Sequence, residues 1–332
     1  VIKTKVNLHK LAVVANLVLL SAFMIPAHGQ AFPSKPIQLI VTGAPGASTD
    51  IIARRLGKVI QDQTGISIVV ENKGGASGSI ALLQTIRAPA DGYRLVIAVP
   101  DSVTIYPLLK KTKPYVAEKD LTPIAQVAEA HFVFAVSATS PVNNLAEFIT
   151  RSKGRSQATQ LSYASPGNGT TARLVTEMLM ARSGIKMLHV PYRSTIPGLV
   201  GVVGGETEIM ATSIASAKAM VDSGQLKLIG ITREQRLKEF QGIPTAIESG
   251  LENFVVPVWW GIFGPANLPV NVREKLTSII LNAARSDEMK SQLMALGLEP
   301  KSRGDEDFRA FLSKDTQMWQ EVISKVDLPL ED

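Results

Sequence analysis

Short apolar runs alternate with helical patterns through most of the chain. The first run reads as a strand over 37–42. A turn of small residues follows, and then apolar positions at 51, 52, 56, 59 and 60, the spacing of a helix over 49–62. The pattern repeats at once. A β-branched strand over 66–71 leads into the glycine-rich run 72–78 and a helix over 79–87. Asp91-Gly92 then makes a turn ahead of a strand over 94–99.

A polar connection over 110–120 and the segment Leu121-Thr122-Pro123-Ile124 separate this series from a second one. Its strands are expected over 132–136, 161–164, 187–190, 208–211 and 226–231, and its helices over 145–153, 172–182, 197–203 and 214–222. A further strand over 258–263 precedes a helical tail, 270–285, 287–296 and 306–325. Strands alternating with helices define an α/β protein with parallel pairing inside each series.

Residues 1–29 break the pattern. Lys3, Lys5 and Lys10 precede an apolar stretch, and Ala27-His28-Gly29 places small residues at a cleavage point. This is the design of a secretory signal peptide, and its apolar core of about 15 residues is short for a membrane span. Export without disulfides follows from the absence of cysteine, and a bacterial periplasm is the simplest destination. The net charge of +6 includes the leader lysines, and no Lys/Arg run marks a nucleic-acid surface. At 332 residues the chain has room for two domains.

Two stretches share one design: strand, small-residue loop, helix start. The first is Gly46-Ala47-Ser48-Thr49-Asp50 and the second Ser165-Pro166-Gly167-Asn168-Gly169-Thr170. A helix N-terminus presents unpaired N–H groups and the positive end of a dipole, which suits a carboxylate. If the two series are two domains, these termini face one another across a cleft and grip an acid at both ends. Ser48 and Thr49 serve as caps or ligand donors. Asp50 either complements the helix dipole or orients a water or an ammonium group. Ser165, Gly167, Asn168 and Thr170 are candidate ligand contacts, while Ser102 and Ser213, each just past a strand, are placed to line the cleft. Arg193, like Arg173, is either a carboxylate partner or a solvated charge. His131 and His189 are not at metal-ligand spacing and read as packed residues. With no cysteine, the chain offers no metal centre and no Cys/His nucleophile, and it carries neither a Gly-x-Ser-x-Gly elbow nor a Walker loop. Trp259, Trp260 and Trp319 read as core or hinge packing.

These residues also carry a resemblance. Pro36-Ile37, the run Gly46 to Arg54, Val70-Glu71-Asn72-Lys73-Gly74-Gly75-Ala76-Ser77-Gly78, Asp91-Gly92-Tyr93, Asp120 to Ile124, Tyr163 to Gly169, His189-Val190-Pro191-Tyr192-Arg193 and Ile243-Pro244-Thr245 recur in one order over 300 residues. In this the chain resembles the periplasmic solute-binding proteins of tripartite tricarboxylate transporters, the Bug family. The resemblance implies a Venus-flytrap, type II-like fold of two domains, 32–131 plus 255–332 and 132–254, each a mixed sheet flanked by helices. It implies a small organic acid, a carboxylate or dicarboxylate, held without cofactor or metal by a monomer that is not an enzyme. It also implies delivery to membrane permease subunits. The alternatives are a ligand sensor feeding a signalling kinase and a periplasmic enzyme acting on a carboxylic acid. The chain departs from the family pattern at Thr42-Gly43 (Pro-Phe), Gly46-Ala47 (paired glycines), Arg173-Leu174 (His-Leu) and Tyr192-Arg193-Ser194 (Tyr-Lys-Gly). These departures bear on which acid is bound.

Overall fold

The computed structural model describes residues 32–156 and 159–325. The leader read over 1–29 lies outside them. From Lys35 onward the chain builds two sheets. The first contains β1 (Ile37–Val41), β2 (Ile68–Asn72), β3 (Arg94–Ala98), β4 (Leu121–His131), β10 (Pro257–Pro265) and β11 (Glu299–Gly304), in the order β11-β4-β10-β3-β1-β2. The second contains β5 (Val133–Ser137), β6 (Leu161–Ser165), β7 (Met187–Pro191), β8 (Ile209–Thr212) and β9 (Leu226–Ile231), in the order β7-β6-β8-β5-β9.

Both sheets are mixed. β1 pairs in parallel with β2 and β3, and β6 with β7 and β8. The strands that connect the sheets run antiparallel to these: β10 against β3 and β4, β5 against β8 and β9. The helices of eight residues or more are α1 (Ser48–Thr64), α2 (Ser79–Ile86), α3 (Leu145–Ser152), α4 (Thr171–Ser183), α5 (Thr195–Gly204), α6 (Ile214–Asp222), α7 (Val270–Ala284), α8 (Asp287–Met294) and α9 (Asp305–Lys325). They cover the apolar sheet faces, as parallel strands buried on both sides require.

Two strand features exceed the sequence expectation. β4 runs unbroken for eleven residues, nearly all buried. Its Pro123 is tolerated inside the sheet because it pairs with Phe263 at a register shift of β10, where a ladder bond is already missing. β11, with Pro300, Lys301 and Arg303, has no apolar alternation. It is an edge strand on β4, where charge and proline discourage further pairing.

The core of the first sheet centres on Trp259, Phe263 and Phe308, all at most 1% exposed. The Trp259 and Phe308 rings meet edge-on, 5.7 Å apart, a geometry worth about 0.5–1.5 kcal/mol beyond burial. The second sheet buries Leu199, Val202, Met210 and Leu226 against its helices.

The chain crosses between the sheets at Phe132, the single residue between β4 and β5, and returns just ahead of β10. Thr232 ties the two crossings together. Its hydroxyl accepts from the Phe132 N–H at 3.0 Å and donates to the Val256 carbonyl at 3.0 Å. Its backbone bonds the same two residues, Thr232 N–H to Phe132 O and Val256 N–H to Thr232 O.

Candidate functional site

The carboxyl ends of β1, β2, β3, β6, β7 and β8 all open onto one cleft. Each loop that follows these strands supplies residues to its wall. An inner cavity of about 100 Å³ lies between the sheets, and a wider mouth of about 600 Å³ continues it outward. Phe132 and Val258, beside the two crossings, lie on the inner wall.

The loop after β1 reaches α1 through Gly46, whose φ of +81° takes the left-handed turn, so Ala47 keeps an ordinary extended backbone at φ −72°. The glycine-to-alanine departure at position 47 is therefore free of strain. Asp50 does not face the cavity. It accepts from the Gly46 N–H at 2.9 Å and pairs with Arg54 at 2.8 Å. Arg54 in turn reaches Asn72 at 3.0 Å, and Asn72 holds the Gly43 carbonyl at 3.1 Å. This chain of contacts braces the loop from the first turn of α1. Ala47, Ser48 and Thr49 line the inner cavity. The Thr49 hydroxyl accepts from the Trp260 indole N–H at 3.0 Å. Ser48 donates its N–H across the cleft to Ser216 Oγ at 2.9 Å.

The loop after β2 was recognised only as a glycine-rich turn. It is a second wall of both cavities, through Gly74, Gly75 and Ser77. Four successive residues, Gly75, Ala76, Ser77 and Gly78, have positive φ, two of them non-glycine. Gly78 packs so closely that a Cβ there would lie 2.8 Å from Thr42 Cβ. Such strain persists only where its surroundings enforce it, and it concentrates at binding sites.

After β3 the cavity is lined by Val99 and Asp101, not by Ser102. Ser102 is fully buried behind the wall, donates to the Val99 carbonyl, and accepts from Tyr115 at its own carbonyl. Asp101 reaches across to α4, where its Oδ1 accepts from the Thr171 N–H at 2.8 Å and from the Thr171 hydroxyl. Its enclosed position pushes its pKa up to about 6, against the two bonds from Thr171.

On the second sheet the predicted contacts divide. Thr170 lines the inner cavity, while Gly167 and Asn168 line the mouth. The Thr170 hydroxyl caps α4, accepting from the Arg173 N–H and donating to the Gly167 carbonyl at 2.8 Å. Ser165 lies behind them, wholly buried, with its hydroxyl 2.6 Å from His189 Nε2 and 3.1 Å from the Gly167 carbonyl it donates to. His189 stacks on Tyr163, and burial with nearby Arg173 pulls its pKa down to about 4. The pair holds the loop's shape rather than facing the cleft. Arg193 lines both cavities; Arg173 lines neither and pairs with Glu177. Ser213 lines the inner cavity and caps α6 by accepting from the Ser216 N–H at 3.3 Å.

Of the twelve residues expected at the site, Ala47, Ser48, Thr49, Thr170, Arg193 and Ser213 meet at the inner cavity. Gly167 and Asn168 lie at its mouth. Asp50, Ser102 and Ser165 stand behind the wall, and Gly46 is exposed outside both cavities. Sequence reasoning missed Asp101, Ser77, Thr212 and Ser216. Asp101 carried a signal, since it sits one residue before Ser102 at the end of the same strand. Among the described residues no cluster of His, Asp or Glu could hold a metal ion, and no helix is long and apolar enough to cross a membrane.

Two mixed sheets with loops converging on a cleft are the build of a two-domain periplasmic binding protein. The solved periplasmic binding protein BugD has this fold, with a TM-score of 0.84 at 27% identity, covering 90% of this chain and 99% of its own. The MatC protein of Rhodopseudomonas palustris, solved with bound malate, matches at 0.80 and 25% identity over 88% of this chain and all of its own. A UPF0065 protein of Bordetella pertussis is 31% identical over 97% of both chains. The model of the tripartite tricarboxylate transporter family receptor matches residues 52–328. The chain belongs to that family of receptors.

Proposed function

We propose that this protein captures a small organic acid in the cleft and closes over it by hinge motion. It then presents the acid to the permease subunits of a tripartite tricarboxylate-type transporter. The observation that carries the reading is the convergence of six strand-end loops on one cavity, with the hydroxyls of Ser48 and Thr49, the first turn of α1 and the cation of Arg193 on its walls. Backbone N–H groups, hydroxyls and a guanidinium are the donors a carboxylate needs. MatC, with malate bound, is a relative of the same fold whose ligand is such an acid.

The ligand-contact set is Ala47, Ser48, Thr49, Thr170, Arg193 and Ser213, with Gly167 and Asn168 at the entrance. Asp50, Ser102 and Ser165 support it from behind, and Gly46 makes the turn into α1. The working unit is a monomer of two domains, 32–131 with 255–332 and 132–254. They hinge at Phe132 and just ahead of β10, and the protein works in the periplasm once the leader is removed. It binds without turnover: the Ser165–His189 pair, the one serine–histidine hydrogen bond near the site among the described residues, does not open onto the cavity.

Calorimetric titration and thermal unfolding of the leaderless protein against mono-, di- and tricarboxylates and aromatic acids test the reading. An acid at about 100 times its dissociation constant should add roughly 2.7 kcal/mol of stability. Failure of every acid to bind protein first unfolded and refolded free of ligand would refute it.

A further inference from the structure

The charges on the inner cavity narrow the ligand further; this step rests on the function proposed above. Two charged residues line it, Asp101 from the first sheet's side and Arg193 from the second's. They oppose one another in sign, so the cavity carries no net charge to attract a dianion. Asp101 also holds the place that a second carboxylate would need. Its Oδ1 takes the first N–H of α4 and the Thr171 hydroxyl, the donors that a symmetric dicarboxylate would use at that end.

We propose that Asp101 is a specificity residue. The ligand is an acid with one carboxylate for the α1 end and Arg193, and a hydrogen-bond donor at its other end, an ammonium or hydroxyl, for Asp101.

A second feature of the same wall agrees. Thr212 is 2% exposed and lines the inner cavity, and its hydroxyl oxygen has no hydrogen-bond partner in the protein. Buried hydroxyls are ordinarily paired, so this one is left for what enters the cavity. A hydroxyl can accept as well as donate, which suits a donor-bearing ligand group. The pKa of Asp101, raised to about 6, leaves it mostly ionised at neutral pH. A second carboxylate beside it meets a like charge in an enclosed space, whereas an ammonium meets an opposite one.

The test is titration calorimetry with matched acids that share a carbon skeleton and differ only at the far end: carboxylate, ammonium or hydroxyl. Straight chains of two to six carbons and the benzene-ring counterparts cover the accessible sizes. The wild type should favour the ammonium or hydroxyl member of its best set by at least tenfold. Asp101→Asn keeps an acceptor for Thr171 and removes the charge, so the preference should shift at least tenfold toward the dicarboxylate. Equal or tighter binding of the dicarboxylate by the wild type would overturn the inference while leaving the organic-acid receptor standing. A D101N protein with an unchanged ratio would do the same. If no acid binds at all, both readings fall. Should D101N not fold, the wild-type ratios decide alone.

Discussion

Thr49 illustrates how one side chain serves both fold and site. Its oxygen is the acceptor for the buried Trp260 indole, and the residue lines the cavity. Thr49→Val preserves the volume and strands the indole N–H. The variant should lose about 1–3 kcal/mol of stability, the usual cost of an orphaned buried donor, read from urea unfolding. Thr49→Ser should lose much less. Asp315 makes a different residue-scale case. It is 6% exposed, accepts from Thr104 at 3.2 Å, and lies near the indole N–H groups of Trp259 and Trp319, neither of which reaches full hydrogen-bond geometry. Burial outweighs these donors and lifts its pKa to about 6. A raised folded pKa means that the native state holds a proton the unfolded chain has released. The resulting stability is complete below the unfolded pKa near 3.8 and is lost as pH rises through about 6. Asp315→Asn should flatten that decline, with a gain over wild type near neutral pH of up to about 3 kcal/mol. Asp101 titrates in the same window, so the measured quantity is the difference between variant and wild type. A difference that does not change between pH 4 and 7 would contradict the assignment.

Among the elements, the loop Gly75–Gly78 is the most demanding. Four residues with positive φ follow one another, and the last, Gly78, is held against Thr42 and Ser102. Gly78→Ala adds a Cβ 2.8 Å from another carbon at a backbone φ of +88°, so it should destabilise by about 2 kcal/mol or more and reduce acid binding with it. A stability equal to wild type in chemical denaturation would show that the loop can relax. The same loop marks the limit of what the sequence discloses. The strand–loop–helix units are legible because apolar period and small residues repeat: α1 was expected over 49–62 and runs Ser48–Thr64. The residues of the α1 and α4 loops were legible for the same reason. Which side of the wall each faces was not. Ser165 and Thr170 look alike in sequence, but register turns Ser165 toward His189 and leaves Thr170 at the cavity. Asp101 escaped because its partner is Thr171, seventy residues on, and pairings across a cleft leave no local pattern. β11 escaped because edge strands trade apolar alternation for charge.

At the scale of the molecule, the proposed function requires the two sheets to separate and close. Among the described residues two sets of hydrogen bonds span the cleft, Ser48 N–H to Ser216 and Asp101 to Thr171, and the ion pair of Arg233 with Glu299 joins the two domains next to the crossings. A neutral hydrogen bond contributes about 1 kcal/mol net and a charged one about 1.5–3 kcal/mol. Such contacts bias a hinge without locking it, and a ligand that touches both walls adds what closure still needs. Thr232 binds Phe132 and Val256 from one buried position and so ties the two crossings together, and the proposed closure would turn about that tie. Small-angle scattering should accordingly show a smaller radius of gyration at saturating ligand than in its absence. Thr232→Val removes the side-chain tie and strands the Phe132 N–H. It should broaden the unliganded ensemble and weaken acid binding, while Ser at the same position restores both. An unchanged radius on saturation would separate binding from closure and leave the cleft a static receptor.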